Sequence, residues 1–281
     1  MLAGIMALGS QDMVFTLYGD YIRYRGGEIW TGSLIKLLKH LGMSEQAVRS
    51  VLSRMWKKGW LKRRRVGRKS YYSLTKKSQE LLAAGAERIF EPKDGDWSGH
   101  WYIIAYNVPE SRRQQRNKLR RQLTWMGCGA FNTAIWVSPW DITESVSEVS
   151  RRLGIEEHVQ VFRSEHVGFA SAKELAAECW DLERINSQYA DFIDRYGPML
   201  ERDKARLEDW DQVDPAECFT TRFMLLHEYR EFPFVDPHLP PELLPSDWLG
   251  QRANELFKEY YALLTAKANQ FVDSVFQKAP P

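Results

Sequence analysis

The chain has 281 residues, of which 44% are hydrophobic and 13% aromatic; this composition excludes a disordered protein and allows two or three domains, each with its own core. The formal net charge of +2 conceals an asymmetry, since residues 1–90 hold 17 Lys and Arg against 6 Asp and Glu, whereas residues 91–281 hold 22 against 31. We therefore expect only the N-terminal part to bind a polyanion, and we favour nucleic acid over a membrane surface because the basic stretch is not one long amphipathic helix.

Two short helices joined by a tight turn are predicted in this N-terminal part. The first begins near Thr31 or Ser33, either of which can cap it, and Gly42 follows it where a left-handed C-terminal cap is expected. The second covers about residues 45–58 and begins after Ser44, a good N-cap. Apolar residues recur on one face of each helix at i, i+3 and i+4. This pairing is typical of a helix-turn-helix motif.

A basic hairpin is predicted directly after the second helix. Strand-like segments lie on both sides of Gly67, so the helices and the hairpin together predict a winged helix. Nine of the sixteen residues from Arg54 to Lys69 are Lys or Arg, as expected where a recognition helix and a wing both meet phosphate. Tyr71 and Tyr72 point to opposite faces of their strand, and we expect one of them to pack in the core and the other to contact the DNA backbone.

The predicted DNA contacts lie on the outward face of the second helix and on the wing. Arg can bridge a guanine edge, Gln can pair with adenine, and Ser can reach bases or phosphate. A merely solvated helix face is the alternative interpretation, and the adjoining short helix and wing count against it. The predicted contacts are Ser44, Gln46, Arg49, Ser50, Ser53, Arg54 and Lys57 on the helix and Arg63, Arg64, Arg65, Arg68, Lys69 and Tyr72 on the wing.

Residues 14–76 resemble the N-terminal domain of the PaaX family of transcriptional repressors. The most specific part of the resemblance is the run "GWLKRRRVGRKSYYSLT". The family controls genes for phenylacetic acid degradation, so the resemblance implies a repressor of such genes.

A second domain is predicted at residues 91–170, after a linker. Its strands and helices follow the order β-α-β-β-α-β, which is the ferredoxin-like pattern. The predicted strands are 101–108, 128–132, 133–138 and 159–163, and the predicted helices are 111–125 and 143–153.

This domain resembles the small ferredoxin-like CRISPR-associated proteins, some of which are metal-dependent nucleases. In that family an aspartate at the end of the first strand is the proposed metal ligand, and the matching residue here is Asn107. A neutral amide is a poor ligand for Mg²⁺, so we expect a scaffold and dimerisation role and keep the nuclease as the alternative. The basic helix around residues 112–121 is either a secondary DNA contact or a solvated face.

A mainly helical C-terminal domain is predicted at residues 171–281, with helices at 173–196, 215–229 and 249–276. It again resembles the PaaX family, and the whole resemblance covers about residues 14–265. It implies a dimeric repressor that phenylacetyl-CoA releases from DNA. The candidate effector contacts are Arg222, Tyr229, Arg230, Trp248 and Arg252, and pairing of these arginines within the domain is an equally open interpretation.

No enzyme motif, metal-ligand spacing or catalytic residue is predicted, and no cofactor is expected apart from the effector. Cys128, Cys179 and Cys218 suit neither a disulfide framework nor a zinc motif and indicate a reducing cytoplasm. The longest apolar runs are too short to span a bilayer. We therefore predict a cytoplasmic homodimeric repressor on an inverted-repeat operator in double-stranded DNA. The alternatives are the nuclease, or a repressor that answers another acyl-CoA or an aromatic acid.

Overall fold

The computed structural model describes residues 9–90 and 96–277. Within these residues the fold mixes helices with two small antiparallel sheets, which confirms the predicted α+β class. The strands are β1 (Glu28–Trp30), β2 (Leu61–Val66), β3 (Lys69–Leu74), β4 (Trp101–Tyr106), β5 (Gly129–Ala130), β6 (Ile135–Ser138) and β7 (Val159–Ser164). The helices are α1 (Ser10–Leu17), α2 (Thr31–His40), α3 (Glu45–Lys57), α4 (Lys76–Phe90), α5 (Arg113–Trp125), α6 (Thr143–Leu153), α7 (Ala172–Cys179), α8 (Leu182–Lys204), α9 (Pro215–Tyr229), α10 (Phe232–Val235) and α11 (Gly250–Val275).

The chain divides into two compact units. The described residues of the first are drawn from Met1–Glu91, Phe192–Arg230 and Arg252–Pro281, and those of the second from Pro92–Asp191 and Glu231–Gln251. This division differs from the three consecutive domains predicted from the sequence, because parts of the C-terminal third belong to each unit. Helices α9 and most of α11 therefore share a unit with the basic N-terminal elements.

The sheet of the first unit has the strand order β1-β3-β2, and all its pairs are antiparallel. Between α2 and α3, Gly42 has φ +84°, and the Met43 N–H donates to the Leu38 carbonyl at 3.0 Å. This is the predicted left-handed cap, in which the residue after the glycine reaches back to the last helical turn. The tight turn between the two helices is thus confirmed.

The predicted N-cap of α2 is wrong. The helix already begins at Thr31, and Trp30 stands at the cap position without a side-chain cap bond. The hydroxyls proposed for capping have other partners, because Thr31 donates to the Ser70 carbonyl and Ser33 to the Val275 carbonyl, each at 2.7 Å. These tertiary contacts are not visible in local sequence.

The sheet of the second unit has the strand order β5-β6-β4-β7. Ile104 of β4 packs with Leu119 and Leu123 of α5 and with Val146 of α6 on one face, all at most 1% exposed. The other face packs against α7 and the loop before α11. The predicted order of strands and helices is confirmed. The second strand is shorter than predicted, because the Asn132 side chain accepts from two following N–H groups and turns the chain.

The helix predicted at residues 173–196 is two helices. Trp180 is extended at φ −131° and ψ 140°, and the Asp181 carboxylate accepts from the Arg184 N–H at 3.3 Å, so that α8 begins there. Helix α8 also continues through Pro198, where the sequence predicted an end. Tyr196 and Leu200 are each 3% exposed, and this burial outweighs the backbone hydrogen bond that a proline removes.

In the described ranges, no helix combines the length and the apolar character that crossing a bilayer requires.

Candidate nucleic-acid interface

Helix α3 is anchored on its apolar side and presents its basic side to solvent. The Ser44 Oγ caps the N-terminus by accepting from the Ala47 N–H at 3.2 Å, and Glu45 adds a carboxylate in the first turn, where the helix dipole favours it. The anchored residues are at most 1% exposed; they are Val48, Val51, Leu52 and Met55. The opposite side chains are therefore held outward on a rigid element.

Most of the predicted contacts on α3 are exposed; they are Ser44, Gln46, Arg49, Ser50, Arg54 and Lys57, whereas Ser53 is half-buried. Arg49 forms an ion pair with Glu45 at 2.7 Å, so an anionic partner competes with that carboxylate for its guanidinium. In the part of the chain that the structure describes, Arg54 and Lys57 have no hydrogen-bond or ion-pair partner. These two cations are available to phosphate or to base edges.

The hairpin of β2 and β3 carries the other basic contacts, and all of these are exposed; they are Arg63, Arg64, Arg65, Arg68 and Lys69. Arg64 forms an ion pair with Glu28 of β1 at 2.7 Å, and hydrogen bonding to that carboxylate raises the pKa of Arg64. Arg63 donates to the Ser70 Oγ at 3.1 Å. These contacts hold the two guanidinium groups along the strands. Both groups stay positively charged.

Tyr72 is not an exposed contact, so the expectation that one of the paired tyrosines faces DNA is wrong. Tyr71 is 3% exposed and Tyr72 8%. Tyr72 lies directly across from Ile29 of β1, which is 0% exposed, and directly opposed residues share a sheet face. Both faces of β3 are therefore buried at the paired tyrosines, including the face that was expected to meet DNA.

The wing has supports that the sequence did not predict. The Lys69 ammonium lies 4.7 Å from the centre of the Trp30 ring and donates to the Gln277 side chain at 3.2 Å. Lys69 and Gln277 are 208 positions apart, so no local pattern could indicate this pair. Trp56 of α3 is 45% exposed, and an aromatic residue on a basic helix face was a signal that the prediction left out.

Helix α11 fastens the N-terminal elements of the same unit. Arg25 donates to Asp273 at 2.7 Å and to Asn269 at 2.9 Å. Two residues after Asp273, the Val275 carbonyl accepts from Ser33 of α2. Helix α11 thus contacts both the turn before β1 and the helix that precedes α3.

Arg222 lies in the core of the first unit and not in a ligand pocket. It is 4% exposed and donates to the Asp20 carboxylate at 2.5 Å, while Tyr261 donates to the other oxygen of the same carboxylate. Burial raises the pKa of Asp20, and Arg222 and Tyr261 oppose that effect. A phosphate could reach this guanidinium only by breaking a buried ion pair, so Arg222 has the internal pairing that the sequence left open as the other interpretation.

Tyr229 and Arg230 are also engaged within the first unit. Tyr229 is 5% exposed and stacks on Phe257 with ring centres 3.9 Å apart. Arg230 is half-buried and donates to His227 at 3.3 Å. Neither side chain is presented to a ligand as the sequence led us to expect.

His227 is a buried neutral histidine. Its Nδ1 accepts from Arg230 and is 2.8 Å from the Thr16 hydroxyl. Burial and the neighbouring charge of Arg230 lower the pKa of His227 to about 3. The imidazole is therefore uncharged at neutral pH.

Arg252 is exposed and lines a groove of about 720 Å³ between α8 and α11. Four carboxylates line the same groove, those of Asp194, Glu201, Glu255 and Glu259, and this charge disfavours the phosphates of a coenzyme A. The remaining candidate, Trp248, belongs to the second unit, where it packs edge-on against Tyr189. The five predicted effector residues are thus not brought together in one site within either unit.

Asn107 follows β4 and lines a cavity of about 380 Å³ with Glu157, His158 and Gln160. Its backbone N–H donates to the His158 carbonyl at 2.9 Å. Among the described residues there is no group of three or more His, Cys, Asp or Glu side chains that could hold a metal ion. The geometry at this position thus offers at most one carboxylate and one imidazole.

Comparisons with known proteins agree along nearly the whole described chain. Residues 10–78 match a family model described as PaaX-like protein, residues 94–176 match the PaaX protein central Cas2-like domain, and residues 180–274 match the PaaX-like protein C-terminal domain. A solved structure, that of the uncharacterized protein Rv0674 from Mycobacterium tuberculosis, covers 86% of this chain and 89% of that chain with a TM-score of 0.57 and 22% identity. This likeness shows the fold alone.

One individual protein is also similar in sequence along most of the chain. The transcriptional repressor PaaX of Escherichia coli strain K12 is 33% identical over 264 residues, which are 93% of this chain and 82% of that protein. The resemblance predicted from the sequence is confirmed, and the chain belongs to the PaaX family.

Proposed function

We propose that this protein is a sequence-specific DNA-binding transcriptional repressor. The observation that carries the proposal is the capped helix α3, which turns Arg54 and Lys57 to solvent directly before a hairpin of exposed arginines and lysines. The relative in E. coli, which is 33% identical over 264 residues, is named a transcriptional repressor. A repressor acts by binding, and we propose no catalytic role for the chain.

The order of elements supports a winged helix in the first unit. Helices α1, α2 and α3 are followed by a two-stranded hairpin, and the short β1 pairs with that hairpin to complete a three-stranded sheet. We assign α3 as the recognition helix and the turn around Gly67 as the wing tip. In the second unit, the β-α-β-β-α-β order and the arrangement β5-β6-β4-β7 support a ferredoxin-like domain, in keeping with the family match to a Cas2-like domain.

The two basic elements have different tasks in this proposal. Side chains of α3, such as Arg54, read base edges in the major groove. Those of the hairpin, such as Arg68, contact phosphate and set the register. We propose that the protein acts as a homodimer, so that the operator is an inverted repeat with half-sites about 34 Å or a multiple of that apart.

We further propose that phenylacetyl-CoA relieves repression, as the family resemblance implies. Communication between these helices and α3 is supported by their place in one compact unit. Helices α9 and α11 bond to the elements that precede α3, at Asp20, Arg25 and Ser33. A ligand that favours another arrangement of these helices would also favour another position of α3. Release requires the ligand to bind the free form more tightly than the DNA-bound form, by about 1.4 kcal/mol for each tenfold change in DNA affinity.

The test is fluorescence anisotropy on DNA from upstream of the gene, titrated with phenylacetyl-CoA at fixed salt, because phosphate contacts make affinity depend on ionic strength. We expect nanomolar-range binding to this DNA, weaker binding to a random duplex, and release by the thioester but not by phenylacetate or coenzyme A alone. Tight binding that ignores the thioester would retain the repressor and reject this effector, in favour of another acyl-CoA or an aromatic acid. Equal affinity for both duplexes would overturn the proposal.

The nuclease alternative has its own test in the same preparation. Incubation of labelled DNA or RNA with Mg²⁺ or Mn²⁺ should give no cleavage above that of an Asn107→Ala variant. Metal-dependent cleavage that this substitution abolishes would contradict the purely binding role.

A further inference from the structure

The second unit carries a basic helix face that the proposed function does not use. Leu119 and Leu123 bury one side of α5 at 0% exposure. The opposite side carries residues at i, i+3, i+4, i+7 and i+11 spacing, which fall on one face of a helix. These exposed residues are Gln114, Asn117, Lys118, Arg121 and Trp125. Trp125 is 51% exposed.

The cations at the start of α5 are neutralised by a local carboxylate. Glu110, just before the helix, contacts Arg116 at 2.7 Å and Arg113 at 3.7 Å. Hydrogen bonding and charge from Arg116 lower the pKa of Glu110, which keeps it ionised. These arginines therefore have a structural explanation.

The three cations in the middle of α5 have no such explanation. Lys118, Arg120 and Arg121 are exposed, and within the described ranges they have no hydrogen-bond or ion-pair partner. The helix itself contains no Asp or Glu. Arg152 of α6 donates to Gln122 of α5 at 3.3 Å and adds a further positive charge beside this face.

The same residues form a shallow groove of about 480 Å³ with purely polar lining residues: Gln114, Asn117, Lys118, Arg120 and Arg121. The side chains that line it end in amide and cationic donors, which suit phosphate oxygens. Of the residues named on this face only Trp125 is apolar, whereas a docked peptide uses several apolar anchors. Lys118 and Arg121 are about 4.5 Å apart along the helix axis. Long flexible side chains at this spacing can reach successive phosphates of one strand.

We propose that this α5 face binds the phosphate backbone of double-stranded DNA independently of sequence. The inference rests on the proposed function, because it adds a second DNA contact to a DNA-binding protein. The second unit would then contact DNA phosphates through α5, and part of the salt dependence of DNA binding would arise from that helix.

The experiment compares the full chain with the variant Lys118→Gln/Arg120→Gln/Arg121→Gln. Affinity for the operator and for a random duplex is measured between 50 and 200 mM KCl. We expect weaker binding to both duplexes by the same factor, and a less negative slope of log affinity against log salt. Loss of two or three phosphate contacts makes the slope less negative by about 1.8 to 2.7. The ratio of wild-type to variant affinity should therefore fall about 10- to 40-fold as KCl rises from 50 to 200 mM.

The control removes the same charge outside α5 in the second unit, as Arg163→Gln/Lys173→Gln/Arg184→Gln, and should keep the wild-type slope. Circular dichroism and thermal unfolding verify that both variants fold, and the single variant Arg121→Gln should show about one third of the effect. A wild-type slope in the α5 variants, or an equal loss in the control, would overturn the inference. If wild type binds the operator and the random duplex equally, the proposed function is rejected instead. The contribution of α5 to phosphate binding is then measured on random DNA.

Discussion

Arg222 and Asp20 are 202 positions apart in sequence and form an ion pair of 2.5 Å, with side chains only 5% and 2% exposed. Asp20 belongs to a π-helical turn, Tyr18–Ile22, that follows α1, and Arg222 belongs to α9. The guanidinium also lies 3.8 Å from the centre of the Tyr261 ring in α11. Three elements from opposite ends of the chain thus meet at one buried charge pair, and π-helical turns often occur at functional sites.

Arg222→Met should destabilise the first unit and weaken DNA binding without any contact to DNA. Removing one partner leaves the Asp20 carboxylate buried and uncompensated, which costs about 3–5 kcal/mol of unfolding free energy. Urea unfolding measures this cost. The double variant with Asp20→Asn should recover part of it, since no buried charge is left. A double variant less stable than the sum of the two single changes would contradict the pairing.

The protein should become less stable as the pH is lowered, because of His227. Its folded pKa of about 3 lies below the unfolded value of about 6.5, so the unfolded state binds more protons between these values. Stability from this group is complete above pH 6.5 and is lost as the pH falls towards 3, by up to about 1.4 kcal/mol per unit. Unfolding free energies from pH 7 to 4.5 should show a smaller slope for His227→Gln than for wild type. The exposed His166 supplies the control, and His166→Gln should retain the wild-type slope.

Arg54→Ala and Arg68→Ala should separate base reading from phosphate binding. Loss of Arg54 should weaken operator binding by about 1–3 kcal/mol and leave random DNA nearly unchanged. Loss of Arg68 should weaken both duplexes by the same factor and reduce the salt slope by about one. Anisotropy titrations on both duplexes measure this difference. Equal losses on both DNAs for both variants would reject α3 as the recognition helix.

Glu28→Gln should tighten DNA binding. The Glu28 carboxylate neutralises Arg64 on the hairpin at 2.7 Å, and its own charge repels phosphate. Its removal should strengthen binding to operator and random DNA alike. The slope of log affinity against log salt should become more negative by up to about 0.9, the value for one phosphate contact. Glu80→Gln removes the same charge from α4 and should have little effect. Unchanged affinity in Glu28→Gln would indicate that Arg64 does not meet DNA.

Local patterns in the sequence were enough to locate the basic helix and hairpin. The cap at Ser44, the left-handed turn at Gly42 and the length of α9 depend on residues close together in the chain, and all were predicted correctly. The break at Trp180 was missed, because an Asp181 cap competes there with a continuous helical pattern.

The order of elements in the second unit was also predictable, because strand and helix periods differ and each segment is bounded by turn residues. The shortening of the second strand reflects the Asn132 side chain, which bonds to the backbone two and three residues on. Periodicity does not report such a bond.

The sequence by itself determined where the positive charge gathers and which family the chain resembles, since both depend on the identity and spacing of neighbouring residues. Only the tertiary structure decided what each charge or ring does. Arg222 became a core residue because Asp20 comes to it from the other end of the chain, and Tyr72 became buried because it shares a covered sheet face with Ile29 of β1. Those outcomes depend on long-range packing, in which the partner of a side chain is set by the fold and not by its neighbours in sequence.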